Sequence, residues 1–473
     1  MRIRVGDLVD DFFAPNAVAV VGASGRPGKI GYEVLRTLVR SAFKGGVYPV
    51  NPAHAGGELL GKRCYAALSE LPERPRLAVL VVGAGSVPQA MEECAAAGVR
   101  AVVIISGGFK ELGKEGGELE RRSVEIARSR GMRVIGPNCI GISSSQSGLE
   151  TFFQPLEMMA RPGPGPIAIL SQSGTFGATL LEWFAEDGLG VSKFASYGNG
   201  SDVDELDLLE YLMRDPATGL MVFYVEGLGR AREFADMAAV AGPSKPVLML
   251  KGGRTGAGAA AASSHTGSIA GRGETFEGAM AQCGVVLARD SEELFDLAKL
   301  FALQREPAGG RVAMVTNGAG PCVVAADIIS ASRWLSLARL SEEGAATLRE
   351  RLPPYNVVGN PVDLTGSADA LSYRTALEVM AADPGSDILM SVFVFQDAPL
   401  GLSADELVPV MEKANGMGKT VLAVAGGGPF TRRQSMRLQK ANVPVFPTAG
   451  RALAALEGLV RHSRWKAAHH KVE

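Results

Sequence analysis

The sequence predicts an α/β protein made of parallel sheets covered by helices, and three observations carry that reading. Short runs of Val, Ile, Leu and Ala, such as VAVVGAS at 18–24 and AVVIISGG at 101–108, end in glycine turns and lead into helical stretches. The 59 glycines and 47% hydrophobic content suit strands buried on both faces and joined by tight turns. With 473 residues the chain exceeds one core, and at roughly 150 residues per domain it predicts about three.

Taken in order, strands at 18–24, 77–84, 101–108 and 133–136 alternate with helices and make a first doubly wound unit over residues 1–130. The turn-dense ARPGPGPIAIL then opens a second unit, 131–300, and REPAGG at 305–310 introduces a third, 301–473. The second and third read as copies. IAILSQSGTFGATLLEW (167–183) aligns with VAMVTNGAGPCVVAADI (312–328), Gly198-Asn199 with Gly359-Asn360, Asp215-Pro216 with Asp383-Pro384, and MVFYVE (221–226) with SVFVFQ (391–396). A repeated flavodoxin-like domain is the economical explanation. Where copies differ, chemistry is expected: Glu226 aligns with Gln396, and His265 has no histidine counterpart.

Charge excludes one function class. The formal net charge is −2 with both signs interspersed, so the basic stripe required for nucleic acid is missing. No apolar run approaches the roughly 20 residues of a membrane span, and MRIRVGDLVDDFF lacks a signal-peptide core, so a cytoplasmic location is expected. Five scattered cysteines show no metal or disulfide spacing and are expected to be reduced.

Four places invite chemistry. In VVGASGRPGKIGYEVLRTL (20–38), a strand, a glycine turn and a helix start place backbone N–H groups where a phosphate is favoured, although a tight turn without a ligand remains open. The spacing is not G-x-G-x-x-G, and VYPVNP follows where a dinucleotide site needs a ribose-binding acid. His265 lies among Gly, Ala and Ser that offer little to pack against, which leaves room for a phosphoryl group. Ser173, Gly174 and Thr175 open a helix, as an anion site or as a plain N-cap. Glu226 ends an apolar strand, where it either caps the sheet or accepts Nδ1–H from His265, leaving Nε2 free to attack phosphorus.

Four motifs together resemble a known family: Gly-Ala-Ser-x-x-Pro-x-Lys-x-Gly at 22–31, Gly-Pro-Asn-Cys-x-Gly at 136–141, Ser-Gln-Ser-Gly at 171–174 and Ser-His-Thr-Gly at 264–267. They look like the NDP-forming acyl-CoA synthetases, relatives of the succinyl-CoA synthetase α subunit, over nearly the whole chain. The domain order is that of the α portion of ADP-forming acetate–CoA ligases. The resemblance implies an N-terminal Rossmann-like CoA-binding domain, two flavodoxin-like domains, and the reversible reaction of ATP, a carboxylate and CoA to ADP, phosphate and acyl-CoA.

By the same resemblance, coenzyme A meets Ala23, Ser24, Gly25, Gly28 and Lys29, with Asn51, Pro52, Ile105, Ser106 and Gly107 nearby and Asn138 and Cys139 at the thiol end. His265 takes the phosphoryl group, Glu226 orients the imidazole, and Ser173, Gly174 and Thr175 hold phosphate. No metal is expected on this chain. Ala178 stands where succinate enzymes carry a tyrosine, so another small carboxylate is expected. ATP, ADP and Mg²⁺ are expected on a separate ATP-grasp β subunit, giving a hetero-oligomer. The alternative is a CoA-binding protein without catalysis that serves a regulatory or scaffolding role.

Overall fold

The computed structural model describes residues 5–258, 273–398 and 404–469. His265 lies outside the described residues. The chain packs as two compact units, 1–287 and 288–473.

In the first unit, helix α1 (Val5–Phe13) precedes strand β1 (Ala17–Val21), helix α2 (Ile30–Arg40) and strand β2 (Gly46–Val50). A two-stranded ribbon follows, β3 (Glu58–Leu59) with β4 (Lys62–Arg63), and then β5 (Leu77–Leu80), α3 (Val87–Ala96), β6 (Ala101–Ile104), α4 (Lys114–Ser129) and β7 (Arg133–Ile135). The five long strands run parallel in the order β2-β1-β5-β6-β7. Every residue of AVAVV, LAVL and AVVI is buried, because helices cover both faces. The order reverses between β1 and β5, which opens a crevice beyond their carboxyl ends.

The second sheet contains β8 (Ile142–Ser144), β9 (Leu149–Glu150), β10 (Pro164–Ser171), β11 (Val191–Ser196), β12 (Leu220–Val225), β13 (Val247–Lys251) and β14 (Val286–Ala288). Its order is β14-β13-β12-β10-β11-β8-β9. Helices α5 (Gly174–Glu186), α6 (Glu205–Arg214), α7 (Ala231–Ala241) and α8 (Gly273–Gln282) connect its strands. Val20, Val79 and Val103 of the first sheet share one apolar cluster with Leu170, Ala195 and Phe223 of the second.

The strand expected at 133–136 is β7, which pairs with β6 and ends the first sheet, and a segment after β11 satisfies its outer edge. The amides of Asn199 and Val203 donate to Pro137 O and Val134 O at 3.0 Å each, and that of Ser201 to Gly136 O at 3.4 Å. An edge strand is thereby paired rather than left open.

The second unit begins with α9 (Ser291–Leu303), followed by β15 (Arg311–Thr316), α10 (Ala319–Ala331), β16 (Ser336–Leu337), α11 (Glu342–Arg351), β17 (Val362–Asp363) and α12 (Ala370–Ala382). The remainder is β18 (Ile388–Val392), α13 (Ala404–Gly416), β19 (Thr420–Val424), α14 (Pro429–Lys440), β20 (Val445–Phe446) and α15 (Ala449–His469). The main path of this sheet is β16-β15-β18-β19-β20, with β17 also paired to β15. Helix α9 packs here through Arg451 Nε to Asp296 at 2.7 Å and Lys299 Nζ to Val445 O at 2.8 Å.

The repeat extends to side chains. The path β11-β10-β12-β13-β14 matches β16-β15-β18-β19-β20. Ser171 Oγ donates to Ser173 O at 2.6 Å, as Thr316 Oγ1 does to Gly318 O at 2.8 Å. Lys245 Nζ reaches Asp215 O at 2.6 Å, and Lys419 Nζ reaches Asp383 O at 2.7 Å. Among the described residues no helix is long and apolar enough to cross a membrane.

Candidate functional site

The turn after β1 is shaped by two glycines. Gly22, at φ +89°, donates to Val50 O at 3.0 Å. A Cβ on Gly31 would lie 2.2 Å from Gly22 O, so only glycine lets the first turn of α2 approach this closely. Between them Gly25 to Lys29 are exposed, while Ala23 is buried and Ser24 half-buried. Ser24 Oγ accepts from Arg26 N at 3.1 Å, and Glu33 Oε1 accepts from Gly28 N at 3.0 Å while pairing with Arg36. Lys29 is the N-cap of α2 and makes no side-chain cap bond.

Asn51, at the end of β2, takes the position of a ribose-binding acid. Its Nδ2 donates to Ala23 O at 2.7 Å, and its Oδ1 accepts from Ala53 N at 3.0 Å as Pro52 begins a short 3₁₀ turn. The amide therefore braces the turn. On the other side of the crevice, Ile105 is buried, Ser106 donates to Val82 O, and Gly107 is exposed.

Beyond β7, Asn138 sits at φ +60° after the cis Gly136–Pro137 bond, and its amide donates to Ser106 O at 2.9 Å. Ala23, Asn51, Ser106, Gly107 and Asn138 thus gather at the carboxyl end of one sheet. Cys139 turns inward. Its Sγ lies 3.3 Å from Ile104 O, and burial pushes the thiol up to about 12.

In the second sheet, Ser173 caps α5 by accepting from Phe176 N at 3.3 Å, with Thr175 exposed beside it. Gly174 leaves no room for a Cβ, which would lie 2.4 Å from Ile140 Cγ2. Glu226, 7% exposed, ends β12 close by. Its backbone N and that of Gly227 both donate to Gln172 Oε1, and Gln172 Nε2 donates to Gly227 O at 3.0 Å. Gln172, adjacent to Ser173, therefore sets where Glu226 stands.

Tyr224 donates to Glu226 Oε1 at 3.4 Å, and burial together with that carboxylate pushes the phenol up to about 12. Lys251 Nζ donates to Glu226 O at 2.7 Å, and burial lowers the ammonium from its ordinary range. Glu205, at the start of α6, is pushed up to about 7 by burial and accepts from Gly229 N at 3.3 Å. Sequence reasoning missed Gln172, Tyr224 and Glu205. Gln172 lay inside the Ser-Gln-Ser-Gly motif, so its position after a strand was the available signal.

Among the described residues no group of three His, Cys, Asp or Glu is placed to hold a metal. Anion binding by backbone N–H groups and helix starts is what the two strand ends offer.

Three family descriptions match successive stretches of the chain. Residues 16–145 match the family described as a CoA binding domain, 164–301 the succinyl-CoA ligase like flavodoxin domain, and 312–473 the Ligase-CoA domain. The alpha subunit of ADP-forming acetate–CoA ligase I from Pyrococcus furiosus is 37% identical over 466 residues, covering 98% of this chain and 99% of that protein. The chain belongs to the ADP-forming acetate–CoA ligase family.

A second member, ADP-forming acetate–CoA ligase I of Archaeoglobus fulgidus, is 38% identical over 456 residues, and the chain spans 64% of its length. Among solved structures, the dinucleotide forming acetyl-coenzyme A synthetase 1 of Ca. Korarchaeum cryptofilum, in complex with phosphate and ADP, is similar over 98% of both chains. Its identity is 35% and its TM-score 0.89. Within this ligase family the chain carries the CoA-binding and flavodoxin-like portions in the expected order.

Proposed function

We propose that this chain is the α subunit of an NDP-forming acyl-CoA synthetase, acting on a small carboxylate with a separate ATP-grasp β subunit that carries ATP and Mg²⁺. The observation that carries the reading is the pairing of two strand-end sites in one unit. One is a glycine turn braced by Asn51. The other is a nearly water-free Glu226 beside the start of α5.

In the direction of thioester synthesis, His265 Nε2 attacks the γ phosphorus and ADP leaves. The carboxylate oxygen then displaces the imidazole from phosphorus, giving an acyl phosphate. The CoA sulfur attacks the acyl carbon, the C–O bond to phosphate breaks, and the thiol proton passes to solvent. Relay through His265 divides one difficult displacement into easier steps. Glu226 holds the imidazole tautomer and stabilises its positive charge, while Ser173 to Thr175 donate to phosphate oxygens. The turn from Ala23 to Lys29, with Asn51, Pro52 and Ile105 to Gly107, holds CoA, and Asn138 faces its thiol end.

The test is to incubate the chain and an ATP-grasp partner with γ-labelled ATP and map the acid-labile adduct. Labelling of His265, discharged by acetate plus CoA, is expected. An adduct on another residue, or none with an active partner, refutes the reading.

A further inference from the structure

The loop that carries Glu226 meets the CoA-binding sheet at a cluster of carboxylates, Asp202, Asp204 and Asp207, on and just before α6. Asp207, in the first turn of α6, is buried. Its Oδ2 accepts from Arg133 Nη2 at 2.8 Å, and its Oδ1 from Arg230 Nη2 at 3.0 Å. The two arginines belong to different halves of the unit. Arg133 opens β7, the strand that runs directly into Gly136, Pro137 and Asn138. Arg230 closes the loop that starts at Glu226 and is the N-cap of α7.

Each arginine also has a carboxylate of its own. Arg133 Nε donates to Asp202 Oδ2 at 2.8 Å, and Arg230 Nε donates to Asp204 Oδ2 at 2.8 Å. Asp207 alone is shared by Arg133 and Arg230 among the described residues. At its near end the Glu226 loop is fixed by Gln172, and Gly229 is held by Glu205. Arg230 also reaches β7 indirectly, through Asp204 and the Val203 amide on Val134 O, and Asp207 is the side chain that joins the loop's arginine to that of β7 directly.

We propose that Asp207 is a positioning residue for the acyl-transfer reaction, holding the Glu226 loop in register with the strand end that carries Asn138. The proposal rests on the function proposed above. Rigid support behind a reacting group matters because displacements near 1 Å cost on the order of a hundredfold in rate. The ion pairs are partly shielded from water, so their geometry is directional rather than diffuse.

Asp207→Asn is the variant to make. It keeps the size of the side chain and an oxygen acceptor, and both arginines retain a carboxylate partner, so the fold is expected to survive. Asp207→Glu restores the charge and serves as the rescue. The α chain with its β partner is assayed for acetyl-CoA formation, the KM for CoA, His265 labelling from ATP, and the unfolding temperature.

For Asp207→Asn, kcat falls at least tenfold while the KM for CoA stays within about twofold, and Asp207→Glu recovers most of the loss. Exposed Arg128, which among the described residues pairs with Asp202 and not with Asp207, gives a neutral control as Arg128→Gln. A kcat within twofold of the parent overturns the proposal. So does a parallel loss of CoA affinity and unfolding temperature, which marks a role in folding only. If the parent enzyme itself shows no histidine labelling, the failure lies in the proposed function instead.

Discussion

Glu226 and Gln396 occupy matching positions in the two repeated sheets, and a single oxygen-for-nitrogen exchange separates them. Glu226→Gln would keep the backbone bonds to Gln172 and lose the charge that opposes an imidazolium. Phosphorylation of the chain is expected to slow by one to three orders of magnitude, roughly the range for misoriented general-base systems. Rapid-quench labelling measures it, and a rate within twofold of the parent removes Glu226 from the mechanism. His265→Asn is expected to abolish turnover and leave CoA affinity nearly unchanged, checked by calorimetric titration with CoA.

Glu205 carries a pH prediction of its own. Burial raises its carboxyl from 4.5 to about 7, with Asp204 adding to the rise and Arg230 and the Gly229 amide opposing it, and the phenol of Tyr197 faces it. The unfolded chain therefore loses this proton first. The contribution of this one group to stability is most favourable below pH 4.5, declines as pH rises toward 7, and stays lower above that. Glu205→Gln should stabilise the first unit on the order of 1–3 kcal/mol at pH 8 and by little at pH 4. Urea unfolding at the two pH values measures this, and an equal effect at both excludes the ionisation.

At the level of elements, the contact between α2 and the end of β1 governs the coenzyme turn. Gly31→Ala places a methyl group against the Gly22 carbonyl and must move the helix start. A destabilisation of about 1–3 kcal/mol is expected, with CoA affinity reduced at least tenfold. Unchanged affinity in the same titration would show that coenzyme binding does not depend on this approach.

This turn was legible in the sequence because a strand, its glycines and the following helix are contiguous, and their local chemistry dictates the shape. The Asp207 bridge was not. Its partners stand 74 and 23 residues away, and neither propensity nor periodicity encodes which carboxylate will face which guanidinium. Cys139 shows the same limit: the motif gives its place in the chain, whereas the direction of its thiol, toward Ile104 O, is set by packing.

For the whole molecule, the repeat was readable from aligned strands and turns, and it reappears in strand order and in the Lys245 and Lys419 bonds to helix-end carbonyls. Helix α9 was harder. Its apolar spacing announces a buried face without saying which sheet covers it, and the pairing of Asp296 with Arg451 settles the question. The second unit has its own apolar core around Val315, Tyr373, Leu389 and Phe393. Residues 288–473 alone are therefore expected to unfold cooperatively by circular dichroism, and a gradual, non-cooperative loss of signal would contradict that independence.

The amides of Asn199, Ser201 and Val203, which close the edge of β7, also offer a built-in reporter. They belong to the second sheet's connecting chain, yet their acceptors lead directly to Asn138. Deuterium uptake at these three positions should slow when CoA alone is added, although none of them is assigned to its binding. The coenzyme's arrival would then be recorded in the neighbouring sheet before any phosphate had moved.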